Sequence, residues 1–308
     1  MQRRLRIGTR GSRLALIQAH DVADRIARAL GLPKEEATEV VVIKTTGDRV
    51  QDRNLSELGG KGLFTKEIEE ALTDGGIDLA VHSMKDMPTV LPDGLVIDCT
   101  LERVDPRDAF LSPKAVSITS LARGAVVGTS SLRRAAQVRA LRPDLQVVPF
   151  RGNVDTRLQK LADGVADATL LAMAGLTRMG LADKVTAPLS PEEMLPAVAQ
   201  GAVGVERRES DAEVAELLAR IHHIETGLRV AAERATLAVL DGSCRTPIAA
   251  LAIIEGERLS MRAMILTPDG SEVIETSREG LASDAASLGR DAGEELKRRA
   301  GPHFFEGS

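Results

Sequence analysis

Short apolar segments alternate with helical patterns over the first two thirds of the chain, and this alternation limits the fold most. The first apolar segment, Leu5 to Thr9, precedes a helical pattern from about Ser12 to Leu30. Further strands are predicted at 39–44, 77–82, 95–100, 125–128, 146–150 and 168–172, with helices at 132–141 and 154–163 between the last three. Such alternation predicts an α/β protein with mostly parallel sheets that are covered on both faces.

The last third of the chain has a different pattern. A helix predicted from about Thr226 to Leu240 leads through a loop at 241–247 into strands at 248–254, 259–266 and 272–276. The segment 268–270 is Pro-Asp-Gly, which suits the turn of an antiparallel hairpin between the last two strands. A final amphipathic helix at about 282–299 should cover one face of this sheet. We interpret this part as a small separate α+β domain with a three-stranded antiparallel sheet.

Length and composition restrict the class of protein. The 308 residues suffice for two or three domains. A net charge of −5 and the absence of Trp and Tyr argue against a nucleic-acid binder that relies on overall basicity or stacking. No run of about 18 apolar residues could span a membrane, and Arg10, Arg13 and Gln18 interrupt any signal-peptide core. The default expectation is a cytoplasmic protein.

Disulfide and metal patterns are missing from the sequence. The two cysteines, Cys99 and Cys244, are too few for a disulfide framework and form no paired ligand motif. His222 and His223 are adjacent, so on a helix they would point about 100° apart instead of chelating one ion. We interpret this pair as a helix-start or surface feature, and we expect no metal.

A polar cluster follows the predicted strand at 77–82. After the buried run come Ser83, Lys85 and Asp86, and Pro88 then breaks the chain. Ligands of open α/β sheets gather at such strand ends, so this cluster is a candidate site. The alternative is that Lys85 and Asp86 form an ordinary surface charge pair. On this segment alone, a surface pair is at least as probable as a functional site.

Several predicted strands end with arginine beside Gly, Ser, Thr or Asn, where the next helix begins. Helix starts favour anions, and arginine forks bind carboxylate or phosphate bidentately. The residues are Arg10, Gly11 and Ser12 after the first strand, Thr129, Ser130, Ser131, Arg133 and Arg134 after 125–128, and Arg151, Gly152, Asn153 and Arg157 after 146–150.

For any single turn, an ordinary helix cap with solvated arginines is the better explanation. The recurrence at three strand ends, with Lys85 at a fourth, favours a shared cleft for a polyanion. Phosphate is possible, but the P-loop and dinucleotide fingerprints are both absent. The glycine-rich segment 59–62 follows no predicted strand, so we interpret it as a mobile segment.

The two cysteines differ in their surroundings. Cys99 lies inside a predicted strand, where a small buried apolar residue is expected. Cys244 lies in the loop before Pro247, and the adjacent Arg245 would favour its thiolate. Cys244 is therefore a candidate reactive residue, with an incidental loop thiol as an equal alternative.

With these residues assembled, the sequence closely resembles the hydroxymethylbilane synthase family, also called porphobilinogen deaminases. The resemblance covers nearly the whole chain in eight ordered segments, at 6–16, 59–66, 81–88, 105–110, 128–134, 151–158, 195–206 and 241–247. It implies a monomeric cytosolic transferase of tetrapyrrole (haem and porphyrin) biosynthesis. Such enzymes join four porphobilinogen molecules head to tail, releasing ammonia each time, to give the linear tetrapyrrole hydroxymethylbilane.

The resemblance also implies a cofactor, site residues and domains. A dipyrromethane cofactor, made from two substrate units, would be attached to Cys244 by a thioether. The catalytic residue would be Asp86, and domains would span 1–101 (completed by 200–220), 102–199 and 221–308. Cofactor binding would fall to Lys85, Thr129, Ser130, Ser131, Arg133, Arg134, Arg151 and Arg157, and substrate binding to Arg10, Ser12, Arg151, Arg157 and Arg178.

The implied chemistry fits these residue types. Porphobilinogen carries an acetate and a propionate, so each added ring brings two carboxylates that need cationic partners. Loss of ammonia leaves an electron-poor azafulvene with positive character on its pyrrole nitrogen. The Asp86 carboxylate would stabilise that charge and exchange the pyrrole proton, and Lys85 would favour its ionised form.

Two residues depart from the family pattern, because Arg13 stands where proline is common and Ser243 where a second glycine is common. Both affect loop geometry, and neither removes a chemical group. The polar segment 47–61 is interpreted as a flexible lid.

One competing hypothesis is a non-catalytic anion-binding module, since the two doubly wound α/β lobes that we predict also resemble type II periplasmic binding proteins. It would need neither Asp86 nor Cys244, and the sequence shows no export signal. A regulatory effector domain is a further alternative, but no DNA-binding helix pair is recognisable.

Overall fold

A computed structural model of the chain describes residues 4–49, 65–240, 246–302 and 304–305. It divides them into two units: unit 1 takes its residues from 1–104 and 202–227, and unit 2 from 105–201 and 228–308. Of the predicted lid at 47–61, only 47–49 belong to the described part. The predicted mobile segment at 59–62 and the reactive-cysteine loop at 241–245 lie outside it.

The described residues form thirteen strands and ten α-helices. The strands are β1 Leu5–Thr9, β2 Thr38–Val42, β3 Leu79–Ser83, β4 Leu95–Thr100, β5 Asp108–Leu111, β6 Val126–Gly128, β7 Gln146–Val148, β8 Ala168–Ala172, β9 Ala187–Pro188, β10 Val203–Arg208, β11 Ile248–Glu255, β12 Arg258–Leu266 and β13 Val273–Leu281. The helices are α1 Arg13–Leu30, α2 Lys34–Ala37, α3 Thr46–Arg49, α4 Lys66–Thr73, α5 Leu132–Leu141, α6 Val154–Ala162, α7 Met173–Arg178, α8 Ala212–Ala219, α9 Ile224–Val239 and α10 Ala285–Ala300.

Unit 1 is built on a five-stranded sheet in the order β2-β1-β3-β10-β4. Successive strand residues point to opposite faces of the sheet, so alternate residues of β3 pack in two separate hydrophobic clusters. Leu79 and Val81 belong to a cluster with residues of α1 and α8. Ala80 belongs to a second cluster with Ile68 and Leu72 of α4. The sheet is therefore buried on both sides, as the sequence predicts.

Unit 2 contains a second five-stranded sheet, in the order β7-β6-β8-β5-β9. Its core includes Phe110, Val127 and Leu170 from three neighbouring strands, all fully buried or nearly so. Helices α5 and α6 follow β6 and β7, so this sheet repeats the strand–helix alternation seen in the sequence. The α/β class predicted from that alternation is confirmed.

The sheets are less parallel than predicted. In unit 1, β1 pairs in parallel with β2 and β3, but β10 is antiparallel to both β3 and β4. In unit 2, β5 is likewise antiparallel to β8 and β9. The sequence alternation describes only strands joined by a crossover helix. Strands β5 and β10 join their sheets through contacts distant in sequence, and neither was predicted.

Unit 2 also contains the predicted three-stranded antiparallel sheet, in the order β11-β12-β13. The predicted hairpin turn packs closely on α5: a Cβ at Gly270, where φ is +76°, would lie 2.5 Å from the Ala136 carbonyl oxygen. Arg139 Nη1 donates to the Pro268 carbonyl oxygen at 2.8 Å. A residue with a side chain at position 270 would therefore clash with the helix backbone.

Of the histidine pair, which we predict to be a helix-start or surface feature, only His223 contacts the start of a helix. The His223 Nδ1 atom accepts the Thr226 backbone N–H at 3.2 Å, at the first turn of α9. The His222 Nδ1 atom accepts the Thr100 backbone N–H at 3.0 Å. Burial lowers the pKa of His222, which suits an imidazole nitrogen that accepts a hydrogen bond.

Candidate active site

The polar cluster after β3 forms a single 3-10 turn, Met84–Asp86. Met84 is buried, and Lys85 and Asp86 are exposed. The Met84 backbone N–H donates to the Ala202 carbonyl oxygen at 3.0 Å, and Gln18 Nε2 donates to Ser83 Oγ at 3.0 Å. Two hydrogen bonds therefore hold the strand end in place, and the Asp86 carboxylate beside it is accessible to solvent.

The turn after β1 starts α1 with a capping serine. Ser12 Oγ accepts the Ala15 backbone N–H at 3.3 Å. Arg10 is half-buried before it, and Arg13 is exposed as the first helical residue. The cap explanation therefore holds for Ser12, and substrate contact by Arg10 and Ser12 stays a prediction.

Three hydroxyl groups shape the turn from β6 into α5. Thr129 Oγ1 accepts the Ser131 backbone N–H at 3.2 Å, and Ser131 Oγ accepts that of Arg134 at 3.4 Å as the helix cap. Ser130 Oγ accepts the Phe150 backbone N–H at 2.9 Å. Each hydroxyl also carries a hydrogen, and none donates it to a described residue. The three hydroxyl hydrogens at this turn therefore have no acceptor among the described residues.

Arg133 and Arg134 follow this turn and are buried against Asp108. Arg133 Nη2 lies 2.8 Å from Asp108 Oδ2, and Arg134 Nη2 lies 2.6 Å from Asp108 Oδ1. Both arginine side chains are 5% exposed, and the Asp108 side chain is fully buried. The alternative of solvated arginines is therefore wrong for this turn. Their assignment to cofactor binding stays a prediction.

The charges around Asp108 keep it ionised. Burial disfavours its carboxylate, but Arg133, Arg134 and a hydrogen bond from Gln200 Nε2 outweigh burial and lower its pKa to about 2. Two guanidinium groups share this one carboxylate, so the cluster has a net positive charge. Arg133 Nε is buried and has no hydrogen-bond partner in the described part of the chain. An unpartnered buried donor is costly, and an anionic ligand would remove that cost.

Substituting Asp108 tests this cluster. We expect Asp108→Asn to lower the free energy of unfolding by about 3–5 kcal/mol, because it leaves two buried guanidinium charges without their counter-charge. The folded-state pKa of about 2 lies below the ordinary value of about 3.9. The stabilisation is therefore complete above about pH 4, and it is lost as the pH falls toward 2. Denaturant unfolding at several pH values measures both effects.

Asp144→Asn is the matched control for that experiment. Asp144 also pairs with an arginine, Arg142 at 2.7 Å, but both side chains are partly exposed. The control should destabilise the protein much less, because solvent screens the pair. Equal destabilisation by the two variants would contradict the role given to Asp108.

The turn from β7 into α6 is the third arginine turn. Asn153 Oδ1 accepts the Thr156 backbone N–H at 2.9 Å and caps the helix. Gly152 has φ of +121°, and a Cβ there would lie 2.6 Å from the Thr156 Cβ, so the turn needs glycine. The Arg151 Nη1 atom is buried and has no hydrogen-bond partner among the described residues. Arg157 is half-buried in the first turns of α6.

Arg178 and Cys99 belong to other secondary-structure elements than these turns. Arg178 ends α7, and its Nη2 donates to the Gly201 carbonyl oxygen at 3.0 Å. Cys99 is buried in β4, and burial raises the pKa of its thiol to about 12, which confirms it as an unreactive core residue. Cys244 lies outside the described residues.

Sequence reasoning missed two buried acidic residues. Asp108 opens β5 and holds the paired arginines, and Glu206 in β10 binds His82. The available signal was a single acidic residue beside an otherwise apolar run, which also fits an ordinary strand end. Neither residue could be paired with its partner from sequence spacing.

Neither a metal-binding cluster nor a membrane-spanning helix is present in the described part of the chain. It contains no group of three or more His, Cys, Asp or Glu residues placed to hold a metal ion. None of its helices is both long enough and apolar enough to cross a membrane.

Comparison with known proteins identifies the family. The model "Porphobilinogen deaminase, dipyromethane cofactor binding domain" matches residues 5–216, and the model of the family's C-terminal domain matches 227–298. A porphobilinogen deaminase of Paracoccus denitrificans is 61% identical over 307 residues, covering 100% of this chain and 98% of the relative. One from Nitrobacter hamburgensis is 54% identical over 299 residues, covering 97% and 94%.

Solved structures of binding proteins are similar at much lower sequence identity. A periplasmic substrate-binding protein from Coxiella burnetii is 15% identical with a TM-score of 0.44, covering 75% of this chain and 96% of the other. A nutrient binding protein from Burkholderia cenocepacia bound to methionine is 15% identical with a TM-score of 0.44, covering 70% and 90%. By its sequence relatives and family models, this chain belongs to the porphobilinogen deaminase family.

Proposed function

We propose that this chain is a hydroxymethylbilane synthase. It joins four porphobilinogen molecules head to tail, with loss of ammonia, on a dipyrromethane primer linked to Cys244. The observation that best supports this proposal concerns arginine donors at two helix starts. Arg133 Nε and Arg151 Nη1 are buried without a hydrogen-bond partner among the described residues. Such donors suit a ligand that carries several carboxylates. A competing anion-binding module would bind the same carboxylates but would not consume porphobilinogen.

The residues at the arginine turns fit the primer chemically. A dipyrromethane carries four carboxylates, and the β6–α5 turn offers three hydroxyl donors at Thr129, Ser130 and Ser131 next to the cationic Arg133–Arg134–Asp108 cluster. Arg151 and Arg157 add charge at the start of α6. The primer, when bound, supplies a pyrrole ring with an unsubstituted α-carbon as the first nucleophile. Lys85, Arg10, Ser12 and Arg178 complete the proposed contacts to primer and substrate.

Asp86 is the proposed catalytic residue. When the aminomethyl C–N bond of porphobilinogen breaks, ammonia leaves and the pyrrole nitrogen gains positive character. The Asp86 carboxylate stabilises that charge and exchanges the pyrrole proton. The bound primer or the chain grown on it would supply the α-carbon that bonds to the methylene carbon, and the α-hydrogen lost from that carbon would leave as a proton for the released ammonia. Each cycle thus forms one C–C bond and releases one ammonium ion.

Mass spectrometry of the purified protein and its products tests this function. We expect an added protein mass equal to two linked pyrrole units, one ammonia per porphobilinogen consumed, and a product containing four pyrrole rings. Active protein without the added mass would contradict the primer. Porphobilinogen that binds but is not consumed would favour the binding module. The cytoplasmic location, the monomeric state and the three-domain division expected from the sequence belong to the same proposal.

A further inference from the structure

A buried imidazole and a buried carboxylate meet in unit 1, four residues before Asp86. His82 Nε2 lies 2.9 Å from Glu206 Oε2, and the side chains are 5% and 0% exposed. A carboxylate only accepts hydrogen bonds, so His82 Nε2 carries the hydrogen and donates it. This bond joins the end of β3 to the middle of β10, across 124 residues of sequence.

The register of the two strands explains how these side chains meet. Gly204 of β10 lies directly opposite His82, and Glu206 lies opposite Ala80. His82 and Glu206 are therefore diagonal neighbours on one face of the sheet, which is within reach of long side chains. Ala80 packs in the α4 cluster, so this is the face that α4 covers.

The same two strands also hold the first residue of the Asp86 turn. Met84 packs over Gly204 so closely that a Cβ at position 204 would lie 2.1 Å from its sulfur atom. The Met84 backbone N–H donates to the Ala202 carbonyl oxygen at 3.0 Å. His82 and Met84 are thus both held against β10, and they lie two residues apart in the segment that leads to Asp86.

Stability does not explain the buried pair. Replacing both partners of a buried hydrogen bond with apolar residues of similar shape can be nearly neutral or stabilising. Here Glu206 Oε1 is also buried with no hydrogen-bond partner among the described residues. Glu69 of α4 lies near the pair, and burial raises the pKa of Glu69. Burying His82 and Glu206 costs free energy of folding, so the pair has a role other than stability.

We propose that His82, held by Glu206, is a positioning residue that sets the orientation of the Asp86 carboxylate during turnover. The inference rests on the proposed function, because it concerns the reaction at Asp86. Asp86 itself is exposed on a short turn, so its direction depends on the strand end beneath it. Misplacing a catalytic group by about 1 Å can cost about 10²-fold in rate.

The test separates turnover from stability by replacing the pair with apolar residues. We expect the double variant His82→Leu with Glu206→Leu to fold as stably as wild type and to retain the dipyrromethane mass. Its kcat per primed molecule should fall about 10-fold to 100-fold with little change in KM. The single variant Glu206→Gln, which keeps an oxygen acceptor for His82, should retain most of the wild-type kcat. Val214→Ala is the control, because Val214 is buried in the cluster on the opposite face of the same sheet.

The outcomes are distinct. An unchanged kcat in the double variant overturns the inference. A double variant that folds but lacks the primer also overturns it, because the pair would then be needed for assembly of the primer. A fall in kcat that Val214→Ala matches at equal loss of stability also overturns it. If the double variant does not fold, His82→Gln and His82→Asn decide, since only the longer glutamine amide can replace Nε2. Equal kcat in those two variants overturns the inference. An inactive, unprimed wild type overturns the proposed function as well.

Discussion

Asp86→Asn should lower the turnover of porphobilinogen by about 10²-fold to 10³-fold, because asparagine has the shape of aspartate but no negative charge. The charge is needed only while the pyrrole nitrogen is positive, so binding should persist. The purified variant should carry the dipyrromethane mass once it has been supplied with a preformed primer. Steady-state consumption of porphobilinogen per primed molecule measures the effect, and the mass spectrum measures the fraction that is primed.

Asp93→Asn is the matched control for this substitution. Asp93 is an exposed aspartate in the turn before β4, in the same unit as Asp86, and asparagine is an equally good turn residue. The control should turn over porphobilinogen at the wild-type rate. Near-normal turnover in Asp86→Asn would refute the catalytic assignment, and equal losses in both variants would show an effect of surface charge alone.

Cys244→Ser should abolish both the added mass and the turnover. The thioether needs a thiolate, and serine hydroxyl is a far weaker nucleophile at neutral pH. Without a covalent primer, no ring is held for the first condensation, so the rate should fall below detection. Intact-mass measurement and porphobilinogen consumption on the same sample test both expectations.

Cys99→Ala provides the control at the other cysteine. The Cys99 thiol is buried in β4, and its pKa of about 12 keeps it protonated. This variant should keep the primer mass and its turnover. A primer that survives in Cys244→Ser, or that is lost in Cys99→Ala, would reassign the attachment site.

The site residues that sequence reasoning identified best are those with local roles. Ser12, Ser131 and Asn153 were expected at helix starts, and each caps its helix through a residue three positions along the chain. The bounds of β1, β4, β8 and α5 agree with the prediction, because apolar periodicity within one element reveals that element. Local reasoning also predicts the polar cluster at Asp86, since it directly follows a buried run, but the catalytic role of Asp86 comes from the family resemblance and stays a prediction.

Residues whose partners are distant in sequence could not be assigned. Arg133 and Arg134 were interpreted as either solvated or ligand-facing, and the structure buries both against Asp108, 25 and 26 residues earlier. The sequence pattern of β10 did not reveal a strand, and only its pairing with β3 and β4 defines it. Periodicity records which face of an element is apolar, and it contains nothing about which other element covers that face.

The family is recognisable from eight segments spread over the whole chain, whereas short local patterns are enough for the α/β class, the polar strand end at Asp86 and the helix caps at the arginine turns. These follow from the order of residue types within about ten positions, where backbone geometry couples neighbours directly. The folded structure is needed to see that Asp108 neutralises part of the Arg133–Arg134 charge and that Glu206 binds His82 in the strand before the Asp86 turn. Both pairings require strands β5 and β10 to insert antiparallel into their sheets, and that choice depends on packing over the whole unit.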